Sequence, residues 1–235
     1  MQPYFLPYIG YFQLMAAVDV FVIYDNIKYT KKGWINRNRM LQNGSDVTFS
    51  LPLKKDSDSL HVVQRELAAD FDRGKLLNKF CGAYARAPYF SQIYPLLERI
   101  VAYEDNNLFR YIYHSLVKTC AHLGISTKIH ISSDIDIDHG LKGQDKVLAL
   151  CQALGADIYI NAIGGTELYV REDFVAHGIE LNFIRSKPFE YPQFGACFVP
   201  WLSIVDVMMF NAHDEVRATI MQDYDFIFSE NIKII

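Results

Sequence analysis

The chain has 235 residues, of which 51% are hydrophobic, so it can bury the core of one ordinary α/β domain. Its formal net charge of −4 argues against general nucleic-acid binding, in which a basic surface dominates affinity. No apolar run reaches the roughly 18 residues of a membrane-spanning helix. The four cysteines have no C-x-x-C spacing, which excludes a zinc ribbon or redox dithiol and favours free thiols in a cytoplasmic protein.

The amino-terminal segment predicts the first buried strand. Residues 18–24 form a β-branched and aromatic run, typical of a strand in a parallel sheet, and this run ends at Asp25 and Asn26. Ligands of open α/β sheets bind beyond the carboxyl ends of the strands. We therefore expect a binding site at the segment that begins with Asp25.

A basic segment follows this strand. Cations alternate there with aromatic and amide side chains, namely Lys28, Lys31, Lys32, Trp34, Asn36, Arg37, Asn38 and Arg39. Such a mixture suits an anionic small molecule, such as a phosphorylated or nucleotide sugar. The alternative is a solvated basic loop whose rings fill the edge of the core.

The middle of the chain predicts one strand and then a helical block. Apolar and polar side chains alternate over residues 46–53, which predicts a strand, and residues 62–67 could form another short strand. Apolar residues at helical spacing then predict three helices, over residues 75–84, 89–103 and 107–123. We expect a single α/β domain over residues 1–235, with this block inserted as a helical subdomain at about residues 68–124.

Sheet signals return after the helical block. A predicted strand over residues 127–131 is followed by two hydroxyl side chains and a carboxylate, Ser132, Ser133 and Asp134. Lys142 and Gln144 precede a predicted helix over residues 145–154. They could reach a phosphate at its N-terminus, where backbone donors and the helix dipole favour anions. A plain helix start is the alternative interpretation.

A third strand end carries a diglycine turn. Residues 157–160 form a short apolar run that leads to Asn161 and then to Gly164 and Gly165, before a helical segment over residues 167–177. Paired glycines let a backbone approach a ligand closely. The spacing matches neither G-x-G-x-x-G nor a Walker A loop.

The last third predicts a strand and a buried helix. The strand covers residues 180–184, and the helix covers residues 200–210 with Asp206 among apolar neighbours. An acid on such a face needs a partner. The tail over residues 222–235 shows no clear period.

Several long motifs resemble one known family. MQPYFLPYIGYFQL, DVFVIYDN and GWINRNR are similar to the opening of the WbqC-like protein family of bacterial surface-polysaccharide loci. QALGADIYINAIGGTELY and FVPWLSIVDVMMFN resemble its second half. The resemblance implies a role in making or decorating the O-antigen sugars of lipopolysaccharide. The resemblance implies a few apolar residues before the QPY motif as a first strand. Either that strand is lost or the true start lies upstream of Met1, and we expect the upstream start.

A more distant resemblance concerns the fold. The segment from Pro7 to Tyr11 is similar to the HIGH-motif segment of the nucleotidylyltransferase-like superfamily, with Tyr8 and Tyr11 at the two histidine positions around Gly10. This implies a Rossmann-like (HUP-type), mostly parallel sheet. Tyrosine can donate to a phosphate, but with an ordinary pKa near 10 it is a poor proton shuttle at neutral pH. We therefore expect the shape to persist without adenylyl transfer.

Two functions of different classes stay open, besides a nucleotidylyltransferase-like activity. One is a transferase in O-antigen biosynthesis that acts on an amino-sugar nucleotide or a related phosphorylated sugar by acyl or aminoacyl transfer. The other is a non-catalytic module that binds a sugar nucleotide. The candidate general bases are Asp25, Asp134 and His139. The candidate substrate-binding residues are Gln2, Tyr4, Tyr8, Tyr11, Asn26, Lys31, Lys32, Trp34, Asn36, Arg37, Asn38, Ser132, Ser133, Lys142, Gln144, Asn161, Gly164 and Gly165. No metal site or cofactor is indicated.

Overall fold

The computed structural model describes residues 1–195 and 197–228, and its α-helices and strands alternate from residue 108 to residue 210. The described strands are β1 (Val20–Ile23), β2 (Arg37–Gln42), β3 (Ser45–Ser50), β4 (Lys128–Ile131), β5 (Ile158–Ala162), β6 (Glu180–Ser186) and β7 (Tyr224–Phe228). The described helices are α1 (Ile9–Ala16), α2 (Arg73–Tyr84), α3 (Phe90–Val101), α4 (Leu108–Leu123), α5 (Gly143–Ala153), α6 (Arg171–Ala176), α7 (Ile204–Phe210) and α8 (His213–Gln222). The predicted mixed α/β class is confirmed.

The described strands form small sheets, and some of their pairs are parallel. β1 pairs with β4 in parallel, and β5 pairs with β6 in parallel. β7 is antiparallel to β6, and β2 and β3 form an antiparallel hairpin. Within the described residues β1 and β5 do not pair, so these strands do not form one continuous sheet.

The edge of β1 opposite β4 is paired with Met1. The Met1 amino nitrogen donates to Val22 O at 2.6 Å, and Tyr24 N donates to Met1 O at 2.9 Å. These bonds flank Ile23, as in a parallel ladder. Met1 therefore adds one position of parallel pairing to β1, and the first strand expected before Gln2 stays a prediction.

The β2–β3 hairpin begins inside the predicted basic loop. Arg37 lies opposite Ser50, and the strands are joined at Asn43 and Gly44, which have φ angles of 51° and 77°. A two-residue hairpin turn favours Asn-Gly because both positions need positive φ. The sequence carries this signal, although no hairpin was predicted there.

The predicted helical block is present as α2, α3 and α4, with α4 ending at Gly124, whose φ is +68°. Its side chains share one core with the amino-terminal segment. The Phe5 ring lies 6.0 Å from Phe49 and 5.9 Å from Tyr111 of α4, measured between centroids. Apolar burial therefore fixes the amino-terminal segment against both the hairpin and the block.

Some predicted elements have other bounds. Residues 62–67 contain a 3-10 turn at Val62–Gln64, and the segment at 167–177 is divided into a 3-10 turn, Ile163–Leu168, and α6. The helix predicted from residue 200 begins at Ile204, because the backbone at Trp201 has φ +61° and the Ser203 side chain caps the helix. The tail contains α8 and β7 up to residue 228, whereas residues 229–235 lie outside the described part.

Asp206 on α7 has a set of neutral partners. The fully buried carboxylate accepts from Tyr84 Oη at 2.9 Å, Tyr191 Oη at 2.7 Å and Gln193 Nε2 at 2.7 Å. Burial raises the pKa of the Asp206 carboxyl, and the three hydrogen bonds oppose that shift. The acid thus joins α2, the segment before α7 and α7 itself.

None of the described helices is long and apolar enough to cross a membrane.

Candidate functional site

The carboxyl ends of β1 and β4 bring two polar segments together. Ile23 is paired with Ile131, so Asp25 and Asn26 leave β1 beside the residues that leave β4. The Ser132 hydroxyl lies 3.0 Å from Asp25 Oδ1 and 2.7 Å from Asn26 Oδ1. Strand register alone therefore brings predicted site residues from two distant segments into hydrogen-bond contact.

Asp25 is a buried carboxylate with an uneven set of partners. It is 3% exposed, and its Oδ1 accepts from the Ser132 hydroxyl and from Ser133 N at 3.0 Å. Its Oδ2 has no hydrogen-bond partner among the described residues, and no described lysine or arginine forms an ion pair with it. One oxygen is thus held by the protein while the other can accept from a ligand.

Helix α5 adds a buried cation to this cluster. Lys146, the fourth residue of α5, is 7% exposed. Its Nζ donates to Asn26 Oδ1 at 2.9 Å and lies 5.4 Å from the centroid of the Tyr24 ring. Burial lowers the pKa of Lys146, and the nearby Asp25 carboxylate opposes that shift. Lys146 was not among the predicted site residues, because a lysine within a helical pattern gives no sequence signal of burial.

Asn26 is the residue that joins the cluster. Its Oδ1 contacts Ser132 and Lys146, and its Nδ2 lies 3.0 Å from Nδ1 of the exposed His139. The Asn26 amide therefore contacts His139 and Lys146 directly and is linked to Asp25 through the Ser132 hydroxyl.

A tyrosine network lies next to the cluster, at the end of β5. The Tyr159 and Tyr169 hydroxyls are 3.1 Å apart, and Asn161 Nδ2 donates to Tyr169 Oη at 2.9 Å. Burial, and then the neighbouring Tyr169, raise the pKa of Tyr24, the residue beneath Lys146. At Gly165 an added Cβ would lie 2.9 Å from Asn161 Nδ2. The second glycine of the turn thus leaves room for the Asn161 amide.

This architecture can be compared with known proteins. The model of the WbqC-like protein family matches residues 2–218. The chain belongs to the WbqC-like protein family. It is 27% identical over 218 residues to "Uncharacterized protein Rv1507c" of Mycobacterium tuberculosis (strain ATCC 25618 / H37Rv), which covers 92% of this chain and 93% of that relative. No solved structure matches the chain.

In this WbqC-like protein two cations of the basic segment, Arg37 and Lys31, have partners within the protein. Arg37 donates from Nε to Gly33 O at 2.9 Å and from Nη2 to Lys32 O at 2.7 Å. Lys31 forms an exposed ion pair with Asp58 at 2.8 Å. Lys32 itself is exposed. Arg37 therefore braces the loop that carries the two lysines.

The Trp34 ring has two guanidinium groups of the same WbqC-like segment nearby. It is 41% exposed, and the guanidinium carbons of Arg37 and Arg39 lie 5.6 and 5.7 Å from its ring centroid. Cation–π attraction at this range stabilises the ring in its exposed position.

The amides of the segment are hydrogen-bonded to the backbone. Asn36 Nδ2 donates to Leu51 O at 2.8 Å, while its Oδ1 accepts from Tyr29 Oη at 2.9 Å. Asn38 Nδ2 donates to Leu6 O at 2.9 Å. These two side chains hold β2 against the rest of the fold.

The aromatic opening of the WbqC-like sequence also has internal partners. Tyr11 is buried and donates to Gln2 O at 2.9 Å, and Tyr4 donates to Gln2 Oε1 at 3.2 Å. Tyr8 is half-buried, and burial raises the pKa of its hydroxyl. Burial raises the pKa of Tyr11 well above its ordinary value, so this hydroxyl stays protonated near neutral pH.

The remaining predicted residues lie around α5 and the diglycine turn. Asp134 and Lys142 are exposed, and Gly164 is exposed beside the buried Gly165. The Gln144 side chain bonds Val170 N and Asp173, so it joins α5 to α6. Within the described residues no hydrogen bond or ion pair connects Lys31, Lys32 or Arg37 with the diglycine turn. The structure brings together Asp25, Asn26, Ser132, Ser133 and His139.

Proposed function

We propose that this WbqC-like protein is a transferase that binds a phosphorylated sugar, such as an amino-sugar nucleotide, at the carboxyl ends of β1 and β4. The observation that carries the proposal is the arrangement of a buried carboxylate, Asp25, and a buried cation, Lys146, around Asn26. Burying two charges without a direct ion pair costs free energy, which a binding site recovers when the ligand arrives. A role in O-antigen biosynthesis, implied by the family resemblance, is consistent with this substrate class.

Lys146 is the proposed phosphate contact. A lysine carries three N–H donors, and one of those at Lys146 is used by Asn26. The other two N–H groups can donate charge-assisted hydrogen bonds to phosphate oxygens, and such bonds are stronger than neutral ones. The low exposure of Lys146 strengthens such a bond because little water competes for it.

Asp25 is the proposed proton acceptor. Its Oδ1 is fixed by Ser132 and Ser133, which leaves Oδ2 to accept from an amino or hydroxyl group of the sugar. In acyl transfer, the sugar nitrogen forms a bond to the carbonyl carbon of an activated acyl or aminoacyl donor. The donor's leaving group departs with its bonding electrons, and Oδ2 takes the proton that the nitrogen loses.

The proposal extends to the fold. We interpret the two parallel pairs, β1–β4 and β5–β6, as parts of a Rossmann-like arrangement with the α2–α4 block inserted after the hairpin. The ladder position of Met1 beside β1 and the packing of α1 on β5 and β6 support this interpretation. In such folds the ligand lies beyond the carboxyl ends of the strands. Asp25 lies beyond the end of β1, and Asn161 is the next-to-last residue of β5.

Adenylyl transfer is not proposed. Tyrosines occupy the two histidine positions of the HIGH motif, and Tyr11 is buried and donates to Gln2 O. Burial raises the pKa of the Tyr8 and Tyr11 hydroxyls, so neither is a proton acceptor near neutral pH.

Calorimetric titration of nucleotide sugars into wild type, Lys146→Met and Asp25→Asn tests the proposal, with the exposed Lys118→Met as matched control. We expect the Lys146 variant to bind about ten- to a hundredfold more weakly, the loss of one charge-assisted hydrogen bond. The Asp25→Asn variant should still bind the nucleotide sugar but should no longer transfer the acyl group from an activated donor. Binding without turnover in wild type would favour the non-catalytic sugar-nucleotide module, and no binding of any phosphorylated sugar would overturn the proposal.

A further inference from the structure

The amide of Asn26 has three neighbours whose hydrogen-bonding roles are not equivalent. Oδ1 lies 2.9 Å from Lys146 Nζ and 2.7 Å from Ser132 Oγ, and Nδ2 lies 3.0 Å from His139 Nδ1. Lysine only donates, a serine hydroxyl can donate or accept, and a neutral imidazole nitrogen does one or the other according to its tautomer. The three contacts therefore restrict the orientation of the Asn26 amide to different degrees.

Lys146 decides the orientation of that amide. Its ammonium group has no lone pair, so the Asn26 atom that faces it has to be the oxygen. Turning the amide over would set the NH₂ group against the lysine and leave two donors in contact at a half-buried place. Ser132 does not oppose either orientation, because its hydroxyl can rotate toward Asp25.

The orientation of the amide then fixes the histidine. With its oxygen toward Lys146, Asn26 presents an N–H to His139 Nδ1, so this ring nitrogen accepts. A neutral imidazole has one protonated nitrogen, which must then be Nε2. The ring is exposed, and its Nε2 has no hydrogen-bond partner among the described residues.

We infer that Lys146, acting through Asn26, holds His139 in the Nε2–H tautomer, so that His139 offers a hydrogen-bond donor to an oxyanion of the substrate. The Nδ1 lone pair of His139 then accepts from Asn26, so His139 does not act as a general base. Asp25 supplies the proton acceptor. The inference rests on the proposed function for the ligand, but the tautomer is a property of the unliganded protein. Asn26 and Lys146 are positioning residues in this arrangement.

The tautomer is measured directly by long-range ¹H–¹⁵N correlation spectra of the imidazole nitrogens in the full chain, with His139→Gln used to assign the signals. We expect a protonated Nε2 and an unprotonated Nδ1 in wild type. Asn26→Asp should invert this pattern, because a carboxylate oxygen in place of the amide nitrogen accepts from Nδ1–H. Wild-type protein with the proton on Nδ1, or an Asn26→Asp spectrum without inversion in a folded chain, would overturn the inference.

Lys146→Met provides a second test if Asn26→Asp fails to fold. Methionine has a similar length and no N–H, so the amide can turn and both tautomers should appear. A single Nε2–H tautomer in this variant would show that the lysine does not set the orientation.

The donor role is tested by titrating uridine diphosphate into His139→Ala and His139→Gln. A glutamine amide can place an N–H near the position of Nε2, so the glutamine variant should lose clearly less affinity than the alanine variant, which should bind about tenfold more weakly. Equal losses in both variants would contradict the donor role. If wild type binds no uridine diphosphate or other phosphorylated sugar, the proposed function fails, while the spectra still decide the tautomer.

Discussion

Asp25 and Asp206 are both buried carboxylates, 3% and 0% exposed, but their surroundings differ. Asp206 uses both oxygens, which accept from two tyrosine hydroxyls and an amide. Asp25 accepts both of its hydrogen bonds at Oδ1, and both come from the segment after β4. One carboxylate is saturated inside the core, and the other has a free oxygen at the carboxyl end of a strand.

The difference separates a structural acid from a candidate functional one. Saturation at Asp206 ties three elements together and leaves no room for a ligand. The Asp25 carboxylate lies close enough to the buried Lys146 to affect its pKa. Burial alone therefore does not indicate function, whereas an incomplete set of partners at a strand end does. The predictions below run from the largest expected effect to the smallest.

Removing the saturated carboxylate should have the largest effect. Asp206→Ala leaves two tyrosine hydroxyls and the Gln193 amide without an acceptor in the core. We expect the free energy of unfolding to fall by about 3–5 kcal/mol, measured by urea denaturation, because each buried donor left without a partner costs about 1–3 kcal/mol. A loss below about 1 kcal/mol would show that the network does not stabilise the fold.

Lys146→Met should weaken binding and spare the fold. The variant loses about 1.5–3 kcal/mol of binding free energy for a phosphorylated sugar, by calorimetry. Its free energy of unfolding should stay equal or rise, because a buried cation with a lowered pKa costs stability. Lys118→Met on the exposed face of α4 should change neither quantity. A destabilised Lys146→Met with unchanged binding would assign the lysine to the fold.

Removing a single hydrogen-bond donor to Asp206 should have an intermediate effect on stability. Tyr191→Phe removes the 2.7 Å hydrogen bond to Asp206 Oδ2 and leaves Gln193 as the partner of that oxygen. We expect a loss of about 1.5 kcal/mol in the free energy of unfolding, because the acceptor is charged. A cycle with Asp206→Asn measures the coupling, which would be near zero if the contact were incidental.

The raised pKa of Asp206 makes its contribution pH-dependent. Since burial raises the folded-state pKa, the contribution is fully present below the unfolded value of 3.8 and is lost as the pH rises through the folded value. The difference in unfolding free energy between wild type and Asp206→Asn should therefore fall as the pH rises, by about 1.4 kcal/mol for each pH unit that separates the unfolded and folded pKa values. Urea denaturation in a pH series measures it, and a difference that grows with pH would contradict the assigned direction.

Asp25→Asn should have the smallest effect on stability. The asparagine oxygen can still accept from Ser132 and Ser133, and its NH₂ takes the place of the unpartnered Oδ2. We expect a change in unfolding free energy within about 0.5 kcal/mol, measured by thermal denaturation. A loss as large as that of Asp206→Ala would remove the contrast between the two acids.

The sequence predicted the parts of the fold and site that depend on local pattern. The buried run before Asp25 and the hydroxyl residues after β4 were recognisable because polar residues directly follow apolar strands. Lys146 was not, because a lysine in an ordinary helix pattern looks solvated, and only packing against Tyr24 and Asn26 buries it. Asn36 likewise reads as a free ligand-binding amide, whereas the hairpin turns it toward Leu51 O. Such contacts depend on tertiary structure, which a linear pattern does not contain.

The Tyr84 hydroxyl has a further consequence. It accepts from Leu41 N at 2.9 Å while donating to Asp206, so a β2 amide on the hairpin is joined to α7 through one phenol. Exchange of the Leu41 amide proton with deuterated solvent should therefore require opening of this linkage, and a rate near that of global unfolding is expected. The exchange rate of this one proton therefore reports whether the hairpin and the helical core separate before the whole chain unfolds.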